Sequence, residues 1–300
     1  MSAEIEERHV ENAKKARELY LDNLKPSEAR ADWHFALRES RRLAAKALRD
    51  SQCLSDIAGA LKKNGAHNLV FRQMLAPPVS QDQFKLRCHA WSKTSENDGT
   101  PVPSAKAIEI LQALLERIDS AAVRWKGRLP RRDEMRLFLS IVPTLLALQR
   151  VSTARRKRLA FEQEFAVVEM LENDGWIKLP SKLIDERAAV PTRHFMHKTR
   201  FATATTTPQE VDIACGLKGS YVLAMECKVT NDETNSIKRI NDVLKKAESW
   251  KSHWGSFVST AALLQGIIKP RDVQRLTDAN VEVFWSHDLD AFKTWVTSRI

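Results

Sequence analysis

Two short β-rich runs separated by a glycine-containing turn constrain the fold of this chain more than any other feature. Residues 210–215 (EVDIAC) and 221–229 (YVLAMECKV) are rich in residue types that favour strands. The five residues between them, GLKGS, include two glycines, which permit a tight reversal of the chain. The sequence therefore predicts an antiparallel hairpin.

The register of this hairpin predicts which side chains share a face. Side chains alternate between the two faces of a strand, so Asp212 lies on one face of the first strand, and Glu226 and Lys228 share a face of the second. If Gly216 pairs with Val222, the ladder continues until Asp212 lies beside Glu226. Two carboxylates a few ångströms apart repel each other, and a divalent cation with oxygen ligands removes this conflict. The pattern therefore indicates a metal site, with an ordinary salt bridge on a surface hairpin as the alternative.

The segments around the hairpin predict an α/β fold. The second half of the chain has the order helix, three strands, helix, strand, helix, strand, which is typical of an α/β/α sandwich with a mixed sheet. The predicted helices cover residues 158–173, 237–254 and 270–279, and the predicted strands cover 193–202, 210–215, 221–229, 257–268 and 281–285. The first half reads as helical apart from a polar loop over residues 93–103, and Ser80 is expected to cap a helix. We therefore expect a helical N-terminal region over residues 1–150 and an α/β/α core over residues 151–300.

The helix predicted before the strands carries a third acidic residue at a buried position. The apolar stripe of this helix consists of Phe161, Phe165, Val168 and Leu171. At 100° per residue, Glu164 falls inside the stripe and Glu162 falls outside it. A buried carboxylate needs a partner, so Glu164 is a candidate to join the metal site, whereas Glu162 is expected to be solvated.

The positive charge of the chain is concentrated in one segment. The 48 basic and 38 acidic side chains give a net charge of +10, and residues 124–158 alone contain eleven basic and two acidic side chains. Such a patch suits a polyphosphate partner, because each neutralised phosphate releases counterions; a solvated helix surface is the alternative. The candidates for contacts with backbone phosphates are Arg155, Arg156, Lys157 and Arg158.

The composition disfavours several other classes of protein. The four cysteines form no CxxC pair, which argues against a zinc ribbon or a disulfide framework. The apolar run from Leu137 to Leu148 is shorter than a membrane span, and the charged N-terminus is unlike a secretory signal. We therefore expect a cytoplasmic protein without a membrane partner.

The acidic residues and the lysine of the hairpin resemble the motif of the PD-(D/E)xK nuclease superfamily. The first half of the motif would be Gln209 to Asp212 and the second Glu226-Cys227-Lys228, after a helix that bears a glutamate. Pro208 precedes Asp212 by four residues rather than one, at a position that varies in the superfamily. A narrower resemblance, to XamI-type restriction endonucleases over roughly residues 30–295, is carried by FRQMLAPPVSQDQF, RRKRLAFEQEFAVVEMLENDGW and ECKVTNDETNSIKRINDVLKKAESW.

This resemblance implies a restriction-endonuclease-like core and Mg²⁺-dependent hydrolysis of double-stranded DNA at a short, palindromic site, with 5′-phosphate ends. It implies that Asp212, Glu226, the backbone carbonyl of Cys227 and Glu164 bind the ion. Lys228 would orient or deprotonate the attacking water, or stabilise the developing charge. The resemblance also implies a homodimer, an N-terminal region that serves DNA binding, dimerisation or both, and a cognate DNA methyltransferase as a separate activity.

Three residues after the second strand of the hairpin are further candidates for contacts with DNA. Asn235, Lys238 and Arg239 lie in a stretch that resembles a Thr-Asn-x-x-Lys-Arg pattern of the family, and a solvated helix start is the alternative. Other functions also remain open: a repair or junction-processing nuclease of the same superfamily, a non-catalytic helical DNA-binding protein and, more weakly supported, an RNA-binding protein.

Overall fold

The chain divides into two units. The computed structural model describes residues 3–22, 26–118, 125, 128–205 and 207–300. One unit, the helical unit, comprises Pro26–Ala154, and the other, the sheet unit, comprises Met1–Lys25 together with Arg155–Ile300. The division near residue 154 lies close to the expected one at residue 150. The first 25 residues differ from the expectation, because they group with the sheet unit.

The helical unit is built from helices that differ widely in length. In chain order the first eight helices of the protein are α1 (Ala3–Asp22), which belongs to the sheet unit, α2 (Pro26–Asp50), α3 (Ile57–Lys63), α4 (His67–Arg72), α5 (Gln81–Arg87), α6 (Lys93–Asp98), α7 (Ser104–Leu115) and α8 (Arg132–Asn173). The side chains of Phe71, Trp125 and Phe138 are fully buried in the core of this unit. Helix α8 contributes to both units, because residues from Arg155 onward belong to the sheet unit.

The predicted polar loop over residues 93–103 is wrong, because its first six residues form α6. The side chain of Ser92 caps this helix by accepting a hydrogen bond from the backbone N–H of Ser95. Glu96 then turns inward and forms a buried ion pair with Arg72, and it also accepts a hydrogen bond from the indole N–H of Trp91. The segment is thus a mostly exposed polar helix with one buried charge, Glu96, which is paired.

The predicted cap at Ser80 is confirmed and offers a test of helix stability. Its side chain accepts a hydrogen bond from the backbone N–H of Gln83, whose own side chain accepts one from the backbone N–H of Ser80. We expect Ser80→Ala to lower the free energy of unfolding by about 1 kcal/mol in urea denaturation. Ser80→Asp keeps an acceptor at this position and should retain most of the stability. Equal stability of Ser80→Ala and the wild type would contradict this role.

The apolar run Leu137–Leu148 lies within the 42-residue helix α8, although the run by itself is too short to span a membrane. Within the described residues, α8 is the one helix long and apolar enough to do so, by length and composition alone. The core helix of a soluble protein can pass the same test. Phe138 and Val142 of α8 pack in the core of the helical unit, whereas Ile141 and Leu148 are exposed. Part of the apolar surface of α8 is therefore explained by packing inside the protein.

The sheet unit contains one mixed sheet. Among the described residues, seven strands form it: β1 (Ile177–Leu179), β2 (Leu183–Ile184), β3 (His194–Phe201), β4 (Gln209–Gly216), β5 (Val222–Thr230), β6 (Val258–Gly266) and β7 (Glu282–Trp285). The order is β1-β3-β4-β5-β6-β7, with β2 paired to the same edge of β3 as β1. The β3–β4 and β4–β5 pairs are antiparallel, and the β5–β6 and β6–β7 pairs are parallel.

Helices cover both faces of this sheet. The remaining helices are α9 (Glu233–Trp254), α10 (Pro270–Asp278) and α11 (Leu289–Thr297). Residues of α8 and α11 pack on the face that includes Ile213 and Met225, and α9 packs on the opposite face, which includes Ala214 and Ala224. The predicted α/β fold, with helices first and an α/β/α core with a mixed sheet after them, is confirmed. The sequence analysis missed the short strands β1 and β2 and helix α11.

Candidate active site

The β4–β5 hairpin has the predicted register. Gly216 pairs with Val222, and the ladder continues through Ile213 and Met225. The backbone pairing stops there, one position before Asp212. Instead of a backbone partner, the Asp212 carboxylate accepts a hydrogen bond from the backbone N–H of Cys227, at 2.8 Å from Oδ2.

The ladder between β3 and β4 is interrupted at the same place. His197 pairs with Ile213 and Thr199 pairs with Val211, but the position between them, where Lys198 faces Asp212, has no backbone pairing. Asp212 therefore has no ladder partner on β3 or on β5. We call this interruption of the two ladders the opening of the sheet. Polar side chains from β3, β4, β5 and two helices meet at this opening.

Glu226 lies at the buried side of the opening. It is fully buried, at 0% exposure, and its carboxylate is paired with two ammonium groups. Lys228 Nζ lies 2.5 Å from Oε2, and Lys246 Nζ, from α9, lies 2.8 Å from Oε1 and 2.9 Å from Oε2. Burial raises the pKa of Glu226 above its usual range, although the charges of the two lysines oppose this shift.

Lys228 bridges the two carboxylates of the hairpin. Besides its contact with Glu226, its Nζ lies 3.7 Å from Oδ2 of Asp212. Burial alone would lower the pKa of Lys228, but the negative charges of Glu226 and Asp212 outweigh it and the pKa is raised. Lys228 is therefore an ammonium ion at neutral pH in this arrangement.

Glu164 approaches the opening from α8. It is buried, as predicted, and its partners are two neighbouring residues of β3: His197 Nε2 lies 2.8 Å from Oε2, and Lys198 Nζ lies 2.8 Å from Oε1. The same Lys198 ammonium lies 3.9 Å from Oδ1 of Asp212. Glu162 is exposed and contacts Arg158, which agrees with the prediction that it is solvated.

The predicted apolar stripe of this helix is only partly buried. Val168 and Leu171 are in the core, but Phe161 and Phe165 are 61% and 50% exposed. Their rings stack on each other, with centroids 5.7 Å apart. The spacing of apolar residues identified an apolar face, but it could not tell how far along the helix that face is covered.

The structure brings together the four side chains predicted to be catalytic. Asp212, Glu226, Lys228 and Glu164 are linked through carboxylate–ammonium contacts. Cys227 has its side chain in the core, as predicted, and burial raises the pKa of its thiol well above the usual range, which does not suit a nucleophile.

Sequence reasoning missed three residues of this cluster. Lys198 faces Asp212 across β3 and β4, so the parity argument used for the hairpin, extended to the preceding strand, would have found it. His197, the neighbour of Lys198 on β3, contacts Glu164. Lys246 comes from a helix, and no motif of the sequence marks it.

The carboxylates have the donor chemistry that suits a hard divalent cation. Within the described residues, no group of three or more His, Cys, Asp or Glu side chains is gathered closely enough to hold a metal ion. The ammonium groups of Lys198 and Lys228 contact the facing carboxylates of Glu164, Asp212 and Glu226. Carboxylate oxygens are nevertheless the ligands that Mg²⁺ prefers. The donor set therefore fits Mg²⁺, provided that these ammonium groups make room for it.

The residues expected to contact DNA lie on α8 and α9 in different environments. Lys238 and Arg239 are exposed on the first turns of α9. Asn235 lies in the first turn of α9, where its backbone N–H and side-chain amide both donate to the carboxylate of the N-cap residue Asp232. The basic cluster on α8 consists of Arg155, which lies over the ring of Tyr20, and the exposed residues Arg156, Lys157 and Arg158.

Comparison with known proteins identifies the family of the chain. A family model described as XamI restriction endonuclease matches residues 52–285. The chain belongs to the XamI restriction endonuclease family. The predicted resemblance to this family is confirmed, and the match includes the hairpin, Glu164 and Lys246.

Two further similarities were found. The chain is 29% identical over 190 residues to the type II restriction enzyme XamI of Xanthomonas campestris pv. amaranthicola, an alignment that covers 62% of this chain and 66%, just under two thirds, of that protein. The crystal structure of protein VC1899 from Vibrio cholerae matches 88% of this chain and 56% of its own, with a TM-score of 0.31 and 11% identity. This second likeness is too weak to bear on the fold or the function.

Proposed function

We infer that the chain is a type II restriction endonuclease that uses Mg²⁺ to hydrolyse double-stranded DNA at a short, palindromic site and leaves 5′-phosphate ends. The observation that carries this proposal is the cluster of three carboxylates and three lysines at the opening of the sheet, in a chain of a restriction endonuclease family. Asp212, Glu226 and Lys228 of this cluster resemble the motif of the PD-(D/E)xK type of nuclease site, with Glu164 on the preceding helix. The net charge of +10 supports a polyanionic substrate.

The metal ligands in this proposal are Asp212, Glu226, the backbone carbonyl of Cys227 and Glu164. When bound there, Mg²⁺ would polarise a water molecule and neutralise charge on the scissile phosphate. Of the two hairpin carboxylates assigned to the metal ion, Asp212 is the more accessible, since Glu226 is fully buried. Its position is fixed by the N–H of Cys227, which donates to Oδ2.

Lys228 is assigned the role of charge stabiliser. Its ammonium lies within 3.7 Å of carboxylate oxygens of both Asp212 and Glu226, so it stays beside the position where a phosphate would meet the ligands. An ammonium ion there stabilises the negative charge that develops on the phosphoryl oxygens. The carboxylate charges raise the pKa of Lys228 in the metal-free protein, so the alternative role, in which Lys228 removes a proton from the water, would require the bound ion to lower it.

The exposed basic residues are assigned to the DNA backbone. Lys238, Arg239 and the basic cluster on α8 would contact phosphates, which fixes the position of the duplex without reading its sequence. Asn235 would add a polar contact at the start of α9. The helical unit would serve DNA binding, dimerisation or both.

A homodimer follows from the proposed reaction. A palindromic site has twofold symmetry, and two identical active sites related by a twofold axis can cut its two antiparallel strands. The proposed enzyme acts in the cytoplasm, without a membrane partner. A cognate DNA methyltransferase would protect the host DNA as a separate activity.

The test is incubation of the purified chain with plasmid and phage DNA, in Mg²⁺ and in EDTA, beside the Lys228→Ala variant. Discrete bands that need Mg²⁺ and the native lysine are expected, and sequencing of the ends would give the site and the stagger. A smear would favour a non-specific or repair nuclease. Intact DNA in every lane, with retarded migration on a gel, would favour a non-catalytic DNA-binding protein.

A further inference from the structure

Lys198 has a backbone conformation that is unusual in the middle of a strand. Its φ angle is +52°, in the left-handed region, although it lies inside β3 between two residues that pair regularly with β4. A residue with a Cβ atom adopts this region rarely. Strained residues of this kind persist where the surrounding structure requires them, and they concentrate at functional sites.

The strained backbone places two successive side chains against one carboxylate. In a regular strand, His197 and Lys198 would point to opposite faces of the sheet. His197 has the parity of Phe195, which packs against α8, so its contact with Glu164 of α8 is expected. Lys198 has the opposite parity, yet its ammonium also reaches Glu164, at 2.8 Å. The left-handed backbone thus occurs at the residue whose ammonium reaches Glu164, across the sheet from its expected face, as well as Asp212, which it faces on β4.

The exposure of Lys198 sets it apart from the other lysines of the cluster. Its side chain is 60% exposed, whereas those of Lys228 and Lys246 are 13% and 23% exposed. The carboxylates that it neutralises are much more buried than it is. A lysine ammonium on a flexible four-carbon stem can therefore leave Glu164 and Asp212 for solvent or for another anion without disturbing the core.

We propose that Lys198 is a movable counter-cation of the active site. In the DNA-free protein its ammonium neutralises Glu164 and Asp212, and on DNA binding it transfers to a backbone phosphate and frees these carboxylate oxygens for the metal ion. This inference rests on the proposed nuclease function. The charges are consistent with the exchange, because an ammonium that leaves two carboxylates is replaced there by a divalent cation.

The first test measures metal binding without DNA. Isothermal titration of Mn²⁺ into Lys198→Met should give an affinity roughly threefold or more above that of the wild type, because a competing positive charge is gone. The matched control is Lys293→Met, which removes an ammonium 3.1 Å from Asp174 at a distant ion pair of the same unit. Unchanged Mn²⁺ affinity in Lys198→Met would overturn the inference.

The second test measures DNA affinity against salt concentration. With Lys228→Ala in every protein to prevent cleavage, Lys198→Met should flatten the slope of log affinity against log salt by about 0.9, the loss of one phosphate contact. In proteins with native Lys228, Lys198→Met should slow single-turnover cleavage about tenfold. An unchanged slope and rate, beside a wild type that cuts, would overturn this inference alone. A wild type that neither binds nor cuts DNA would overturn the proposed function as well.

The third test measures whether the left-handed backbone at residue 198 is strained. At an ordinary strand position alanine is more stabilising than glycine, but at a left-handed position the order reverses, because glycine has no Cβ atom. The melting temperature of Lys198→Gly should therefore exceed that of Lys198→Ala by about 2 °C. Both variants should lose the salt-dependent contact equally. The opposite order of stability would mean that the strain does not exist in solution, and would remove this support.

Discussion

Asp212→Asn is expected to lower the single-turnover rate of DNA cleavage by at least about 10³-fold. Asp212 contacts three groups of the cluster: the N–H of Cys227, Lys228 and Lys198. Asparagine has nearly the same shape and can still accept the hydrogen bond from Cys227, so the fold should be retained. It removes the negative charge on which both lysines and a metal ion depend.

The matched control for this prediction is Glu162→Gln. This variant also loses a carboxylate charge, but Glu162 is exposed on α8 and contacts Arg158 at 3.9 Å. The cleavage rate of Glu162→Gln should stay near that of the wild type, and that of Glu164→Gln should fall between the two, because among the described residues Glu164 is linked to Asp212 through the ammonium of Lys198. Rapid-quench cleavage assays and gel shifts would separate chemistry from binding. Near-wild-type cutting by Asp212→Asn would exclude the site assignment.

The hairpin could be predicted because the residues that determine its register are close together in the sequence. Alternation of side chains and a loop of five residues determine the register once Gly216 is placed opposite Val222. Glycine is required at that point, since a Cβ atom on Gly216 would lie 2.1 Å from the backbone oxygen of Pro191. The same two constraints predict that Asp212, Glu226 and Lys228 meet, although the backbone ladder opens before it reaches them.

Other features of the structure could not be predicted, because they depend on contacts between segments that are far apart in the sequence. The sequence predicts a polar loop where α6 forms, and the ion pair of its residue Glu96 could not be foreseen because the partner, Arg72, lies 24 residues earlier in the chain. The exposed rings of Phe161 and Phe165 show the converse case, in which an apolar stripe continues beyond the surface that covers it. The role of Lys246 could not be predicted either, since its contact with Glu226 depends on how α9 packs on the sheet.

Lys246→Met is expected to lower both stability and activity. Lys246 Nζ donates to both oxygens of Glu226 and to the backbone oxygen of Glu210. Its loss leaves Oε1 of a fully buried carboxylate without a donor, which costs about 2–4 kcal/mol of unfolding free energy. Lys228 would then be drawn further towards Glu226 and away from the phosphate, so cleavage should slow about 10²-fold. Urea denaturation and single-turnover assays would measure the two effects.

A double-mutant cycle tests whether these effects run through Glu226. In Glu226→Gln the buried charge is gone, so adding Lys246→Met should cost much less stability than it does in the wild type, with a coupling energy of about 1–3 kcal/mol. Lys251→Met is the control on the same helix, because Lys251 donates to the backbone oxygens of Ala279 and Asn280 rather than to a carboxylate of the cluster. Additive losses in the double variant would mean that Lys246 stabilises the helix and not the buried carboxylate. Coupled losses would mean that the stability of the sheet unit and the activity of the site both depend on the charge of Glu226.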